Sequence, residues 1–425
     1  MQIVCVGGGP AGLYFAILSK LRQPDARVSV YERNPAGITF GWGVTFSDDV
    51  LDSLYAGDPA SAQEIQRNPA SWHNQIARVA GRRIGHMGGY GFAIGRHALL
   101  KILAKRAGEL GVEIHYDYVV DPELTEFADA DLILASDGVN SAIRQRYAQH
   151  FGPSLDYGAN YYTWLGATKA FPDFTYAFEP TEAGWIWFHA YPFNTQTSTF
   201  IPEATPQVWH GLGFDTLEPK QATVKLEKIF AKHLDGANLL VHSRNQTPAQ
   251  TAQRVVHGIQ QPWLNFAWIT TQRWYHRNIA LAGDAAHTAH FSIGNGTMLA
   301  FDDALELNRQ LRAHPDIPTA LAGYEAIRSK ATRQRVALAR KSADWFEHAD
   351  TYLDLDPVQF AYALRNRRGP HPTDGLAWLL HRVTQYGWGR WTRLQVSSPT
   401  KRQKARDNGL NQQVAATQLA TSAGR

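Results

Sequence analysis

The sequence predicts an α/β fold. A parallel, helix-flanked sheet is interleaved with a mostly antiparallel β-sheet domain and followed by C-terminal helices. Three observations predict it. An apolar run at the N-terminus leads through a glycine turn into a helical stretch and a second apolar run. Residues 161–200 are dense in Thr, Tyr, Trp and Phe. A further apolar run at residues 279–282 precedes a stretch that is mostly helical from Gly296 to about Arg365.

Each element follows from its pattern. Gln2–Val6 is short and uniformly apolar, as a strand covered on both faces requires. Residues 11–20 read as a helix, and Arg27–Tyr31 alternates and is β-branched, which completes a β-turn-α-β unit. Residues 35–91 are rich in Gly, Trp and polar residues, with one helical stretch at 48–55. Residues 97–110 form an amphipathic helix with Leu99, Leu100, Leu103 and Ala107 on one side. Residues 112–118 and Leu132–Ala135 read as further strands. The β-branched and aromatic central segment, broken by turn residues, reads as an antiparallel layer. After Pro399 the chain is polar, with Lys401, Arg402, Lys404 and Arg406, and is expected to be a mobile tail, a short helix being the alternative.

The 425 residues are 44 % hydrophobic and 19 % charged, an ordinary globular balance. Forty-two basic and 38 acidic residues leave a net charge of +4, too even for a nucleic-acid partner. The single cysteine, Cys5, excludes an intrachain disulfide and a multi-cysteine metal site, which fits a cytoplasmic protein. The first twenty residues lack a basic start, and Gly7-Gly8-Gly9-Pro10 interrupts the apolar run, so no signal peptide is expected. No uninterrupted apolar stretch is long enough for a membrane span.

Gly7-Gly8-Gly9-Pro10-Ala11-Gly12 satisfies G-x-G-x-x-G, follows a strand and opens a helix. Gly7 permits the tight turn, Gly9 lets a pyrophosphate approach the backbone, and Gly12 lets helix and strand pack closely. The helix N-terminus offers free N–H groups to phosphates. About twenty residues on, Glu32 ends the second strand, where its carboxylate can accept from ribose hydroxyls and repel a 2′-phosphate. These residues suit FAD or NAD rather than NADP. Two more motifs follow strands: Asp137-Gly138-Val139-Asn140-Ser141-Ala142-Ile143-Arg144, and Gly283-Asp284-Ala285-Ala286-His287 with Gly294-Asn295-Gly296-Thr297. Alone, each is an ordinary strand-to-helix turn.

In this order and spacing the three motifs resemble those of the class A FAD-dependent aromatic hydroxylases, the para-hydroxybenzoate hydroxylase superfamily. The resemblance covers roughly residues 1–340. It implies a Rossmann-like FAD-binding domain in two parts, 1–155 and 271–340. The first part carries a substrate-side insert at about 40–92. The β-sheet substrate domain is then 156–270, the helical region 341–398 and the tail 399–425. Gly7, Gly9, Pro10, Ala11 and Gly12 would turn around the FAD pyrophosphate. Glu32 would hold the adenosine ribose with Arg33 beside it. Arg96 corresponds to a FAD-contacting arginine, and Asp137 and Gly138 to a motif credited with FAD and nicotinamide contacts. Asp284 would hold the ribityl or pyrophosphate region. Gly294, Asn295, Gly296 and Thr297 would flank the isoalloxazine, where a helix N-terminus stabilises negative charge on reduced flavin.

Two residues depart from the family pattern: Phe291 replaces the usual Pro, and Met298 the usual Asn. They point to a subgroup. Residues 40–48, Phe-Gly-Trp-Gly-Val-Thr-Phe-Ser-Asp, and His290-Phe291-Ser292-Ile293-Gly294 resemble the salicylyl-CoA 5-hydroxylase and anthraniloyl-CoA monooxygenase branch. Tyr162-Thr163-Trp164-Leu165-Gly166 is similar too. A violacein-pathway indole monooxygenase shares the Gly-Trp-Gly-Val and His-Phe-Ser-Ile-Gly pieces. The resemblance implies that NADH or NADPH reduces FAD, that O2 forms a C4a-hydroperoxyflavin, and that an aromatic ring is hydroxylated. An aryl-CoA is favoured over an indole-type substrate. A flavin-dependent dehydrogenase or reductase on the same fold is the other reading.

Trp42 and Val44 are expected beside the flavin, and Trp42, Tyr162, Trp164 and Phe291 as substrate-pocket walls, since flat faces suit an aromatic ligand. His290, His189 and Tyr191 are candidates for substrate anchoring or proton handling; simple core packing is their alternative. Arg82, Arg83 and Lys169 are available for CoA phosphates, and solvated surface is the alternative for each. His287 and His290 lack carboxylate or Cys partners at ligand spacing, so no metal is expected. Dimerisation through the C-terminal helices is compatible with the sequence.

Overall fold

The computed structural model describes residues 1–39, 41–67, 70–241 and 263–369. Phe40, part of the 156–270 segment, the 399–425 tail and the second half of the 341–398 region lie outside the described residues.

The parallel sheet is built from β1 (Gln2–Val6), β2 (Arg27–Tyr31), β8 (Glu113–His115), β9 (Leu132–Ala135), β17 (Tyr275–His276) and β18 (Ile279–Leu281), in the order β17-β18-β9-β1-β2-β8. Only the β17–β18 pair is antiparallel. Helix α1 (Pro10–Arg22) crosses from β1 to β2, and α4 (Arg96–Glu109) packs beside it. All four residues of β9 are buried, which is why the run is apolar without alternation.

The region 35–91 holds more than the one helix its pattern shows. It contains β3 (Gly43–Phe46), α2 (Asp48–Gly57), α3 (Pro59–Gln66), β4 (Ala70–Trp72), β5 (Gln75–Val79), β6 (Arg82–His86) and the start of β7 (Gly91–Gly95). Helix α3 is short and buries only Ser61, Ala62 and Ile65, so its apolar stripe is weak. Asp58 caps it by accepting from the Ser61 N–H, and Pro59 stands at N1. The expected strand over 112–118 stops at His115. Asp117 takes φ +56°, and the Asp117 and Tyr118 N–H groups turn back to the Asn34 and Glu32 carbonyls.

The large sheet contains β10 (Pro153–Thr163), β11 (Leu165–Ala167), β12 (Phe174–Thr181), β13 (Gly184–Pro192), β14 (Ser198–Ala204), β15 (Leu239–Leu240) and β16 (Trp263–Thr271), with β5 and β6 added at one edge. It is antiparallel except where β12 meets β5. Its strand period sorts the side chains onto two faces. Leu165, Phe188, Ala190 and Phe200 pack against α7 (Pro206–Gly211), α8 (Pro219–Ile229) and α9 (Ala231–Leu234). The register puts Tyr162 opposite Glu203, Trp187 opposite Glu203 and Phe178, and His189 opposite Ile201 and Tyr176, all on the other face. Of the helices that follow the parallel sheet, α10 (Gly296–Ala313) packs on α1, while α11 (Ile317–Glu347) and α12 (Pro357–Arg365) cover that face. Trp345 and Phe346 of α11 and Phe360 and Leu364 of α12 pack on Phe178, Trp187 and Tyr176. No described helix is long and apolar enough to cross a membrane.

Candidate functional site

A cleft of about 670 Å³ runs along the C-terminal ends of β1, β2, β9 and β18. It brings together Gly7, Gly9, Pro10, Ala11, Glu32, Arg33, Arg96, Asp137, Gly138, Asp284, Gly296 and Thr297, residues drawn from all three motifs. The three glycines do different work. Gly7 sits at φ +106°, and a Cβ there would lie 2.3 Å from the Ser136 carbonyl oxygen. A Cβ on Gly12 would lie 2.1 Å from the Gly7 carbonyl oxygen. A Cβ on Gly9 would meet no protein atom within 4 Å, so its smallness serves whatever occupies the cleft. Gly9 caps α1 without a side-chain bond, which leaves the first N–H groups of the helix for a ligand.

Glu32 accepts from the Gly8 N–H at 2.7 Å and, on its other oxygen, from the Asn34 N–H at 2.9 Å. A carboxylate has about four acceptor sites, so capacity remains for hydroxyl donors. Arg96 donates to Thr39 Oγ1 at 3.2 Å, and its charge is opposed by burial and supported by Asp284 and Glu32. Asp137 accepts from the Ala142 N–H at 2.8 Å, while its Oδ1 is buried and without a partner. Burial raises the Asp137 carboxyl above its usual range. Enclosure also raises Asp284, against His287 and Arg96. Its side chain is exposed to the open cleft, so solvent moderates that push.

Two buried staples that sequence reasoning missed hold these loops. Arg144 donates to the Val139 carbonyl at 2.7 Å and the Ala285 carbonyl at 3.0 Å, tying the second motif to the third. Asp303 of α10 accepts from the Gly283 N–H, His287 Nε2 and Arg328 Nε, each at 2.8 Å. His287 therefore has a carboxylate partner. The partner stands sixteen residues on, a spacing that no metal motif would flag. Among the described residues no group of three His, Cys, Asp or Glu is placed to hold a metal.

Trp42, Val44, Gly294 and Asn295 do not line this cleft. They belong to a seam beyond it. The Gly43 N–H donates to Thr199 Oγ1 at 2.8 Å, and the Gly43 carbonyl accepts from Tyr191 OH at 2.9 Å. Thr45 Oγ1 donates to the Gly294 carbonyl at 3.3 Å, and the Arg96 N–H to the Trp42 carbonyl at 2.7 Å. Residues 42–45 thus join the large sheet, α4 and the loop before α10. Val44 is buried in this seam. On it, four predicted aromatics meet. Trp42 Nε1 donates to the Trp164 carbonyl at 3.3 Å; the ring centroids of Tyr162 and Trp164 lie 4.6 and 5.8 Å from that of Phe291. Gly166 makes room for the Trp42 ring, since a Cβ there would lie 2.8 Å from it.

The three proton-handling candidates have different settings. The Tyr191 hydroxyl is committed to Gly43, and burial pushes it up to about 12. His189 Nε2 lies 3.2 Å from the buried carboxylate of Glu203, which also accepts from Asn160 Nδ2 at 2.8 Å. Burial lowers His189. Burial also raises Glu203, but His189, His290 and Asn160 outweigh it and hold the acid below its usual range. With Glu203 held low its carboxylate accepts, so the bond between them is donated by the His189 Nε2–H. Sequence reasoning did not single out Glu203, because its partner lies on the neighbouring strand. His290 is buried against Phe266, Trp268 and Phe291, with Nδ1 2.9 Å from Ser292 Oγ. Of the CoA candidates, Lys169 is engaged by Asp235 and the His233 carbonyl, and the Arg82 and Arg83 side chains lie outside the described residues.

No family model matches the chain. The chain is 34 % identical to salicyloyl-CoA 5-hydroxylase of a Streptomyces species, over 94 % of its own length and 76 % of the relative's. It is 33 % identical to 3-hydroxy-4-methyl-anthranilyl-[aryl-carrier protein] 5-monooxygenase of Streptosporangium sibiricum, over 81 % and 89 %. Protodeoxyviolaceinate monooxygenase of Chromobacterium violaceum is 25 % identical, over 88 % and 96 %. Among solved structures, tetrameric 2-methyl-3-hydroxypyridine-5-carboxylic acid oxygenase superposes with a TM-score of 0.64. It shares 17 % identity and the match covers 86 % of this chain and 96 % of that one, a likeness of fold.

Proposed function

This chain belongs to the FAD-dependent aromatic monooxygenases, and from that premise we propose that it hydroxylates the ring of an aromatic acid carried as a thioester, an aryl-CoA such as salicylyl-CoA. FAD is the cofactor in this reading, NADH or NADPH the electron donor and O2 the oxidant. One observation carries it: Trp42, Tyr162, Trp164 and Phe291 meet beside the loop that leads into α10. Two relatives named for aryl thioesters, one on CoA and one on a carrier protein, support the substrate class.

The cleft suits FAD. The open side of Gly9, the uncapped N-terminus of α1 and the unpartnered Asp137 Oδ1 are what a pyrophosphate and a polyol chain require. Gly7, Gly9, Pro10, Ala11 and Gly12 would hold the pyrophosphate, and Glu32 and Arg33 the ribose. Arg96, Asp137, Gly138 and Asp284 would lie along the chain toward the ring. Gly294, Asn295, Gly296 and Thr297, with Trp42 and Val44, would flank the ring. Bound FAD supplies hydride acceptance and delivery of one oxygen atom to the substrate. The protein's share is to orient the aromatic ring against the aromatic seam, exclude water, and keep protons in place. Tyr191 positions Gly43, His189 Nε2–H is held on Glu203, and His290 stands next to Phe291.

The test is a flavin absorbance spectrum of the purified protein, then a screen of NADH and NADPH oxidation. The panel holds salicylyl-CoA, anthraniloyl-CoA, free salicylate and indoles, with O2 uptake and product mass measured. The expected result is stimulated oxidation by an aryl-CoA with one oxygen gained in the product. Oxygenation of an indole alone would favour the third relative's chemistry. Substrate oxidation without O2 uptake would favour a dehydrogenase, and a colourless protein that FAD cannot reconstitute would overturn both.

A further inference from the structure

Arg367 lies just beyond α12 and is buried, 5 % exposed. Its guanidinium lies over the rings of Tyr176 and Phe346, 5.4 and 5.6 Å from their centroids. Among the described residues its four hydrogen bonds go to neutral oxygens: Ser342 Oγ at 2.9 Å, the Leu364 and Ser292 carbonyls at 2.8 Å, and Tyr176 OH at 3.1 Å. Burying a permanent charge on neutral partners is costly, so the arrangement calls for a use.

Its hydrogen bonds have a direction. A guanidinium only donates, so Ser342 Oγ must accept from Arg367 Nε. Ser342 Oγ lies 2.8 Å from Ser292 Oγ, which lies 2.9 Å from His290 Nδ1, so the two hydroxyls can point their protons one way, Ser342 to Ser292 and Ser292 to Nδ1. The Ser292 N–H reaches the same nitrogen at 3.3 Å. With Nδ1 accepting, the ring proton sits on Nε2. The charged and titratable neighbours of His290 are Glu203, His189 and Arg367; burial, with His189 and Arg367, outweighs Glu203 and keeps the ring neutral.

We propose that Arg367 is a positioning residue for the hydroxylation. Through Ser342 and Ser292 it holds His290 as the Nε2–H tautomer, and through the Ser292 carbonyl it pins the loop that carries Phe291. This rests on the functional reading above. The device joins residues 290–292, α11 and the segment after α12, so it makes that segment part of the site.

The test uses the full-length FAD-loaded protein with 15N-labelled histidines, His290 being assigned by its loss in His290→Gln. Wild type should show His290 wholly as Nε2–H, and Ser342→Ala a mixture of tautomers. Ser342→Ala should also form roughly tenfold less hydroxylated product per nicotinamide oxidised, with unchanged FAD content. Arg367→Lys, which keeps a donor, should retain more of that yield than Arg367→Met. An Nδ1–H tautomer in wild type overturns the proposal without any variant needing to fold. So does wild-type yield or wild-type tautomer in Ser342→Ala. If wild type oxygenates none of the aromatic compounds, the functional reading fails, while the tautomer measurement still decides the His290 claim.

Discussion

Gly9 and Gly12 stand three residues apart in one motif and face opposite constraints. Gly12→Ala would push a methyl onto a backbone oxygen that cannot move aside, whereas Gly9→Ala meets only the cleft. Gly12→Ala is expected to cost about 1–3 kcal/mol of stability, read from a urea titration. Gly9→Ala is expected to leave that titration unchanged and weaken FAD binding roughly tenfold, read by flavin fluorescence. Equal effects of both on folding would contradict this division. His290 carries a second prediction. Burial pushes its imidazole down to about 4 from an ordinary 6.5. The unfolded chain therefore takes up a proton near pH 6.5 that the folded protein refuses until about pH 4. Its contribution is full above pH 6.5 and lost as pH falls through that window, on the order of 3 kcal/mol in all. Stability measured against pH should fall less steeply in His290→Asn over this window; parallel curves would refute the assignment.

At the scale of elements, the three cofactor motifs are turns at the ends of β1, β9 and β18, and their loops are held by side chains from elsewhere. Asp303 reaches back from α10 to the Gly283 N–H and His287 while neutralising Arg328. Asp303→Asn would leave the buried Arg328 with only its longer ion pair to Asp302, at 3.7 Å, and is expected to cost about 3–5 kcal/mol. A shift in urea midpoint smaller than that of an exposed-site control would contradict a structural role. The apolar runs of β1, β9 and β18 were legible because strands covered on both faces can be nothing but apolar, and β2 by its alternation. Helix α3 and the strands β4–β6 were not, because their residues are small or mixed and their partners lie on β7 and β12, far along the chain. Glu203 was missed for the same reason. An acid in a β-strand looks like an exposed residue until His189 and Asn160 are seen beside it.

For the whole molecule, the cleft joins loops from residues 7 to 300, so a ligand in it bridges segments that the unfolded chain keeps apart. FAD at a hundred times its dissociation constant should therefore stabilise the protein by about 2.7 kcal/mol, seen as a rise in thermal midpoint that tracks cofactor concentration. A midpoint indifferent to FAD would argue against the cleft as its site. What the sequence determined by itself was the parallel sheet, its three glycine-bearing turns and the family. Those features are local: a strand, a turn and a helix N-terminus are each encoded within a dozen neighbouring residues. Only the tertiary structure decided that Trp42, Tyr162, Trp164 and Phe291 share one seam, that Tyr191 is spent on Gly43, and that Arg367 reaches His290 through two serines. Those contacts depend on strand register and helix packing, and neither is written in the spacing of any one segment.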